Sequence, residues 1–163
     1  MSKKIMIVSD SHGRQDNLRK VAKVMDGSLD LVLHLGDAQC SQEELEQIMQ
    51  TPVCMVRGNC DSSLGGQPIS RIEQIEGHSI FMTHGHQYGG LFGLDSMKEA
   101  AEENGCSILM FGHIHEPVIE PYSKIAVINP GSISLPRQDG HRPTYIIMHI
   151  SDQGIIDYNL MYV

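Results

Sequence analysis

The chain has 163 residues, 40% of them hydrophobic and 20% charged, a balance typical of one globular domain. Its formal net charge of −8 disfavours a protein that follows nucleic-acid backbones, because that function needs a basic surface. The cysteines show no C-x-x-C spacing, and the apolar run over residues 5–8 is too short for a signal peptide or a membrane span. We therefore expect a single cytoplasmic domain over residues 1–163, with reduced thiols and no membrane association.

The first half of the chain alternates predicted strands with predicted helices. Short apolar runs bounded by turn residues predict strands over residues 4–8, 29–35 and 53–56. Apolar residues at helical spacing predict a helix over residues 16–25. A second helix runs to about residue 49 and opens with a capping box, in which Ser41 is the N-cap and Glu44 the third residue. This βαβαβ order favours a parallel sheet covered by helices.

The second half is richer in strands. A hairpin is predicted over residues 69–82, with its turn at Glu76-Gly77, and a helix over residues 94–103 after a flexible, glycine-rich segment. Further strands are predicted over residues 108–111, 118–122, 125–128, 144–150 and 155–162, with loops over 129–132 and 136–143. We expect this half to supply antiparallel strands. Two sheets packed face to face, with helices on their outer faces, accommodate both halves.

Five polar clusters each follow a predicted strand. They are Asp10-Ser11-His12, Gly36-Asp37, Gly58-Asn59, His84-Gly85-His86 and His113-Ile114-His115. Any one of them in isolation is most simply an ordinary turn or an exposed histidine, although an H-x-H on extended backbone places both imidazoles on one side. Open α/β sheets bind ligands at the carboxyl ends of their strands. The five together therefore predict one site, in which Asp37, at the end of a buried strand, bridges two metal ions.

The set D-x-H, G-D, G-N-x-D, H-G-H and G-H-x-H resembles the calcineurin-like metallophosphoesterase superfamily. It is most similar to the small prokaryotic phosphodiesterase branch, which shares this length and the N-P-G-S segment at residues 129–132. The motifs extend from Asp10 to Ser132 and so cover most of the chain. The resemblance implies an α/β fold, a two-sheet αββα sandwich of mixed parallel and antiparallel strands, around a dinuclear metal centre.

Carried over residue by residue, the resemblance implies two sets of metal ligands that share Asp37. Asp10, His12 and His115 would hold the first ion, and Asn59, His84 and His113 the second. Oxygen and imidazole donors without a thiolate suit Mn²⁺, Fe, Zn²⁺ or Ni²⁺, and the resemblance favours Mn²⁺. Two divalent ions outweigh the two carboxylates, which attracts a phosphate anion and lowers the pKa of a bridging water. The resulting hydroxide would attack phosphorus in line.

The expected catalytic residues are Asp37, Asn59, His84 and His86. His86 either contacts the substrate phosphate or supports a metal ligand, and the sequence leaves both roles open. Much of the superfamily has a histidine directly after the asparagine, placed to protonate the leaving group, whereas this chain has Cys60. The general acid is therefore open, and we expect a preference for esters with good leaving groups. Asp61 is expected to orient a ligand or to tie down its loop.

The resulting hypothesis is a metal-dependent phosphodiesterase that hydrolyses small phosphodiesters. A phosphomonoesterase is one alternative, and a non-catalytic protein-binding scaffold on the same fold, like the retromer subunit that resembles this family, is another. All seven ligand positions hold metal-competent residues, which a scaffold is free to lose, and this favours the enzyme. A small phosphodiester is the expected substrate, and the sequence leaves an additional protein-binding role open. It is compatible with a homo-oligomer without indicating one.

Overall fold

A computed structural model of residues 1–163 shows two five-stranded sheets packed face to face, with three α-helices on their outer surfaces. The strands are β1 (Lys3–Val8), β2 (Leu31–His34), β3 (Val53–Met55), β4 (Ser70–Ile75), β5 (His78–Thr83), β6 (Ile108–Met110), β7 (Pro117–Glu120), β8 (Ala126–Pro130), β9 (Thr144–Ile150) and β10 (Ile156–Tyr162). The helices are α1 (Asp16–Met25), α2 (Gln42–Met49) and α3 (Leu94–Glu103). The predicted fold class, an αββα sandwich of mixed sheets, is confirmed.

Each sheet contains three neighbouring parallel strands. The first sheet has the order β10-β9-β1-β2-β3, in which β1, β2 and β3 are parallel and β9 and β10 antiparallel. The second sheet has the order β4-β5-β6-β8-β7, in which β5, β6 and β8 are parallel and the edge strands antiparallel. Six parallel strands therefore contribute carboxyl ends to the molecule, three from each sheet.

The alternation of side chains along each strand separates three apolar cores. In β1, Ile5 and Ile7 face the second sheet, whereas Met6 and Val8 pack with α1 and α2. The inner core between the sheets contains 16 buried residues, and the outer core beneath α1 and α2 contains 15. A third cluster joins Met97 of α3 to the outer face of the second sheet. The central parallel strands are buried on both faces and are almost entirely apolar, whereas the edge strands β4 and β10 alternate exposed, mostly polar residues with more buried ones.

Two local predictions, a helix N-cap and a hairpin turn, are also confirmed. Ser41 Oγ accepts from the Glu44 backbone N–H at 3.1 Å, and Glu44 Oε2 accepts from the Ser41 N–H at 3.0 Å, which completes the capping box of α2. Glu76 and Gly77 form the β4–β5 turn with φ values of 47° and 85°, the positive values that a tight hairpin turn needs. None of the helices combines the length and apolar character needed to cross a bilayer.

Two expectations about the second half need correction. Its strands are not all antiparallel, because β5, β6 and β8 pair in parallel after the α3 crossover. Asn129 and Pro130, predicted as loop, end β8, since pairing with β7 continues the ladder beyond the apolar run. The glycine-rich segment before α3 forms two short 3₁₀ turns, His86–Tyr88 and Gly90–Gly93, and its flexibility stays a prediction.

The inner core gives a direct test of this packing. Leu33 is fully buried between the sheets, so Leu33→Ala should lower the free energy of unfolding by about 2–5 kcal/mol through lost contacts and a cavity. Val24 of α1 is 76% exposed, and Val24→Ala should change the same quantity by less than about 0.5 kcal/mol. Urea denaturation of both variants measures the difference. Equal effects would show that the sheets do not pack through Leu33.

Candidate metal centre

The polar clusters predicted from the sequence meet at one end of the sandwich, at the carboxyl ends of the parallel strands. In the first sheet, β1 leads into Asp10 and His12, β2 into Asp37 and β3 into Asn59. In the second sheet, β5 leads directly into His84, and β6 into His113 and His115. Residues far apart along the chain become neighbours there because parallel strands of both sheets end at the same place.

One group of potential ligands consists of Asp10, His12 and His115, whose ligand atoms lie within 4.8 Å of one another. His115 Nε2 is 3.1 Å from Asp10 Oδ1 and 3.3 Å from His12 Nε2. His12 Nε2 is 3.7 Å from the same carboxylate oxygen. These are the three side chains that the sequence assigns to the first ion.

A second group consists of Asp37, His84 and His113, again within 4.8 Å. His84 Nε2 lies at its middle, 3.2 Å from Asp37 Oδ2 and 3.3 Å from His113 Nδ1. Asn59 Oδ1 lies 3.1 Å from the same nitrogen. The structure therefore brings together all of the side chains that the sequence assigns to the second ion.

Asp37 lies between the two groups. Its Oδ2 atom is 3.2 Å from His84 Nε2 and 3.7 Å from His12 Nε2, so a single oxygen faces both. Its Oδ1 atom accepts from the Cys60 backbone N–H at 2.8 Å, which fixes the orientation of the carboxylate. This position is the one expected of a carboxylate shared by two cations.

The hydrogen-bonding pattern shows that these side chains fit metal ions. The Nδ1 atoms of His84 and His115 each lie 2.7 Å from a backbone carbonyl oxygen, and that of His12 lies 3.0 Å from Gln39 Oε1. Because an oxygen of this kind only accepts, each Nδ1 carries the proton, and each neutral ring directs the lone pair of Nε2 into the site. Lone pairs 3.3 Å apart repel one another unless a proton or a metal cation lies between them. Asp10 Oδ1, which is buried without a hydrogen-bond partner, needs the same cation.

The titration properties reflect this concentration of acceptors. The hydrogen bond and charge of Asp10 raise the pKa of His12 against the effect of burial. Burial acts to lower the pKa of His84, but the hydrogen bond to Asp37 and the charges of both carboxylates outweigh it and raise that pKa. Burial acts to raise the pKa of Asp10, yet the surrounding imidazoles and Ser9 hold it well below its usual range. Both carboxylates are therefore anionic at neutral pH and attract cations.

The backbone is unusual at the same positions. Ten non-glycine residues have positive φ, and five of them are predicted ligands: Asp10, His12, Asp37, His113 and His115, with φ between 49° and 71°. This left-handed conformation costs on the order of 1 kcal/mol for a residue with a Cβ. Such strain is typical of functional sites, where the surrounding structure holds it in place.

Glycines allow the loops to approach this closely. A Cβ on Gly58 would lie 2.1 Å from Asp37 Oδ1, and one on Gly112 would lie 2.1 Å from Ser9 Oγ. Both are backbone positions that pack against a predicted ligand or its hydrogen-bond partner. The glycines of the G-N and G-H pairs are thus required by close contact.

Asp61 ties the ligand loops of the first sheet together, one of the two roles expected from the sequence. Its Oδ2 atom accepts from the backbone N–H groups of Asp37 and Gly58 at 2.7 and 2.8 Å. Its Oδ1 atom accepts from the N–H of Gln39 at 2.7 Å. With both oxygens occupied, Asp61 fixes the loops and is not placed as a ligand.

Several supporting residues were not identified from the sequence. Ser9 Oγ donates to Asp10 Oδ2 at 2.6 Å, and Gln39 orients His12. Ser132, in the N-P-G-S segment, donates to the Asp10 carbonyl at 2.8 Å and accepts from two N–H groups of its own loop. Ser9 could have been suspected from its place beside Asp10, whereas nothing in the sequence singles out Gln39.

His34, predicted to be a core or supporting histidine, is fully buried beneath the loops that follow β1 and β2. Its Nδ1 accepts from the Gly36 N–H at 3.2 Å, so its Nε2 carries the proton and donates to Ser11 Oγ at 3.0 Å. Burial lowers the pKa of His34 to about 4. The ring is therefore neutral at physiological pH and links the loops after β1 and β2.

His86 and Cys60 lie at the margin of the centre. The ring of His86 is centred 5.5 Å from that of His84, and its buried Nδ1 atom has no hydrogen-bond partner. Burial lowers the pKa of His86, with smaller contributions from the neighbouring His84 and Arg57. Cys60 is exposed, and its Sγ atom lies within 4.8 Å of ligand atoms of His12 and Asp37. Both side chains thus lie next to predicted ligands without being placed among them.

Comparison with known proteins places this geometry in a family. The calcineurin-like phosphoesterase superfamily domain matches residues 4–153. The probable metallophosphoesterase YsnB of Bacillus subtilis is 36% identical over 133 residues, which cover 82% of this chain and 76% of YsnB. The phosphodiesterase YfcE of Escherichia coli K12 is 31% identical over an alignment 184 positions long, which covers 94% of this chain and 95% of YfcE.

The fold gives the same result. A crystal structure of a conserved Streptococcus pneumoniae TIGR4 protein, a predicted phosphoesterase, superposes on this chain with a TM-score of 0.80. The two share 26% sequence identity, and the alignment covers 100% of this chain and 99% of the other.

The buried His34 predicts a pH dependence. Its pKa falls from about 6.5 in the unfolded chain to about 4 in the folded protein, so the unfolded state binds more protons between these values. The free energy of unfolding should therefore decrease as pH falls from about 6.5 to 4, by up to about 3 kcal/mol from this group. His34→Gln removes this titration. The other histidines are present in both proteins, so their contributions cancel when the two pH profiles are compared. Chemical denaturation across this range should give a flatter profile for the variant, and parallel profiles would contradict the assignment.

Proposed function

This chain belongs to the calcineurin-like phosphoesterase superfamily, and we propose that it is a metal-dependent phosphodiesterase that hydrolyses small phosphodiesters at a dinuclear centre. The observation that carries the proposal is the convergence of two anionic carboxylates and three oriented imidazoles, whose Nε2 atoms lie close to one another or to a carboxylate oxygen and need a cation or a proton among them. The name of the relative YfcE, a phosphodiesterase, supports the diester as substrate.

The ligand assignment follows the two groups of side chains. Asp10, His12 and His115 would hold one ion, and Asn59, His84 and His113 the other, with Asp37 Oδ2 shared. Oxygen and imidazole donors suit Mn²⁺, which we propose as the resident metal. Divalent ions there supply Lewis acidity toward phosphoryl oxygens and lower the pKa of water at the site.

The protein contributes orientation before the substrate arrives. Cys60 N–H and Asp61 fix Asp37 from two sides, and backbone carbonyls fix the rings of His84 and His115. These side chains therefore do not have to reorganise during the reaction. Avoiding that reorganisation is the main source of electrostatic catalysis in preorganised sites. His86 is neutral and has no hydrogen-bond partner at Nδ1, and we assign it to a phosphoryl oxygen of the substrate.

The proposal is tested with bis(p-nitrophenyl) phosphate and p-nitrophenyl phosphate, each assayed with Mn²⁺ and with EDTA. The wild-type protein should hydrolyse the diester faster than the monoester with Mn²⁺ and neither with EDTA. Asp37→Ala should lower kcat by about 10³-fold or more, because it removes the carboxylate that both groups share.

Asp157→Ala is the matched control for that assay. Asp157 is exposed in β10, paired with His149, which faces Lys4 at the start of β1 and so lies far from the metal centre. This variant should retain the wild-type rate. Near-native turnover by Asp37→Ala would refute the shared-carboxylate assignment, and a faster monoester reaction would make the protein a phosphomonoesterase.

The presence of Cys60 instead of a histidine should determine how the reaction rate depends on the leaving group. A well-placed general acid contributes about 10²–10⁴-fold, and it matters most when the departing alcohol is weakly acidic. Cys60→His should therefore raise kcat for an alkyl phosphodiester by tenfold or more, and change the rate for bis(p-nitrophenyl) phosphate little. Cys60→Ser serves as the control for side-chain size. No gain on the alkyl ester would show that position 60 does not face the leaving group.

A further inference from the structure

A polar cavity of about 400 Å³ lies beside the candidate metal centre. Its walls come from the loop after β2, the first turn of α2 and the loop after β3. Three glutamines contribute amide groups to it: Gln39, Gln42 and Gln67. The volume is within the range of small-molecule sites. Most of the lining residues are polar, but apolar atoms contribute more of the exposed wall than polar atoms do. The cavity is therefore suited to a group that combines an apolar body with polar atoms.

The cavity begins at the metal centre itself. Three of its lining residues contact predicted ligands directly: Cys60 donates its N–H to Asp37 Oδ1, Asp61 accepts from the Asp37 N–H, and Gln39 orients His12. Cys60 Sγ is shared between the two sites, since it also lies within 4.8 Å of ligand atoms of His12 and Asp37. A substrate whose phosphate lies at the centre can thus extend one substituent into this cavity.

Arg57 gives the cavity its charge. It is half-buried in the cavity wall, and its guanidinium makes no ion pair and no hydrogen bond. The other half-buried arginine, Arg71, donates to Glu73 Oε1 at 2.7 Å. A half-buried guanidinium with five unused donors is suited to bind a planar anion such as a carboxylate or a phosphate.

The acidic residues of the cavity do not pair with Arg57. Both oxygens of Asp61 accept from backbone N–H groups, three in all, which compensates its carboxylate. Glu43 is exposed at the start of α2 and forms no ion pair. The guanidinium of Arg57 therefore keeps all of its donors free for an anion that enters the cavity.

We propose that this cavity receives the leaving alcohol of the substrate and that Arg57 binds an anionic substituent on that alcohol. This inference rests on the proposed phosphodiesterase function and narrows its substrates to diesters whose leaving group is polar and carries a carboxylate or a second phosphate. Arg57 is a specificity-determining residue, since it contacts the leaving group and not the reacting phosphorus.

A binding measurement tests the inference without turnover. The probes are 4-(phosphonomethyl)benzoate and its methyl ester, which share a phosphonate but differ in the distal charge. Calorimetric titration of each into the Mn²⁺-loaded protein should give a Kd about tenfold lower for the carboxylate, the order expected of a charge-assisted hydrogen bond. Arg57→Gln should abolish that difference, because the variant keeps length and polarity but loses the charge. Arg137→Gln, at an exposed arginine whose backbone N–H donates to the His115 carbonyl, should preserve it.

The outcomes separate the two proposals. Binding of both probes with equal affinity to the wild-type protein would overturn the role of Arg57 and leave the phosphodiesterase function intact. An equal loss of affinity for both probes in Arg57→Gln would place the guanidinium on the phosphonate and also overturn it. If neither probe binds, the result would contradict the phosphoryl-binding centre itself, and the inference with it.

A kinetic measurement completes the test. Ethyl 4-carboxyphenyl phosphate and its methyl ester differ in the charge of the departing phenol. Arg57→Gln should lower kcat/KM by about tenfold for the first and leave the second unchanged, with each variant compared with wild type on the same substrate. Unchanged ratios for both substrates would overturn the proposal.

Discussion

The structure depends on two buried carboxylates placed among imidazoles whose lone pairs point at them. Asp10 and Asp37 are held anionic, and Nε2 of His84 and of His115 each face one of them at 3.2 and 3.1 Å. Because Nδ1 of both rings is bound to a carbonyl oxygen, rotation cannot relieve the repulsion. Only protons or cations can satisfy this arrangement, and the burial of the site favours compact, highly charged cations.

Every larger feature of the fold contributes to holding these groups together. Three parallel strands of each sheet end at the same place, and the inner core fixes the sheets relative to one another. The ligand loops adopt left-handed backbone conformations that would relax if released. Asp61 restrains the loops of the first sheet, and Ser132 restrains the loop of Asp10 from the second. The stability of the scaffold thus compensates for strain and repulsion concentrated at the centre.

The sequence predicts this arrangement well where a local pattern of residues is compatible with only one local structure. A polar residue directly after an apolar run marks a strand end, and so Asp37 and His84 could both be assigned to one site at the ends of strands, although they follow strands of different sheets. The box of Ser41 and Glu44 predicts the start of α2 correctly, because its hydrogen bonds are local. Asn129-Pro130 resembles a turn, and only pairing with β7 makes it strand. Gln39 and Arg57 are ordinary loop residues in the sequence, and their roles follow from neighbours that the tertiary fold supplies.

The central claim is that these side chains surround a pair of cations that share Asp37. An anomalous-difference map from crystals soaked in Mn²⁺, recorded near the manganese absorption edge, tests it most directly. The account predicts two peaks about 3.5–4 Å apart, one on each side of Asp37 Oδ2, with Asp10, His12 and His115 around one and Asn59, His84 and His113 around the other. A map without peaks at this position, or with a single peak that Asp37 does not contact, would contradict it.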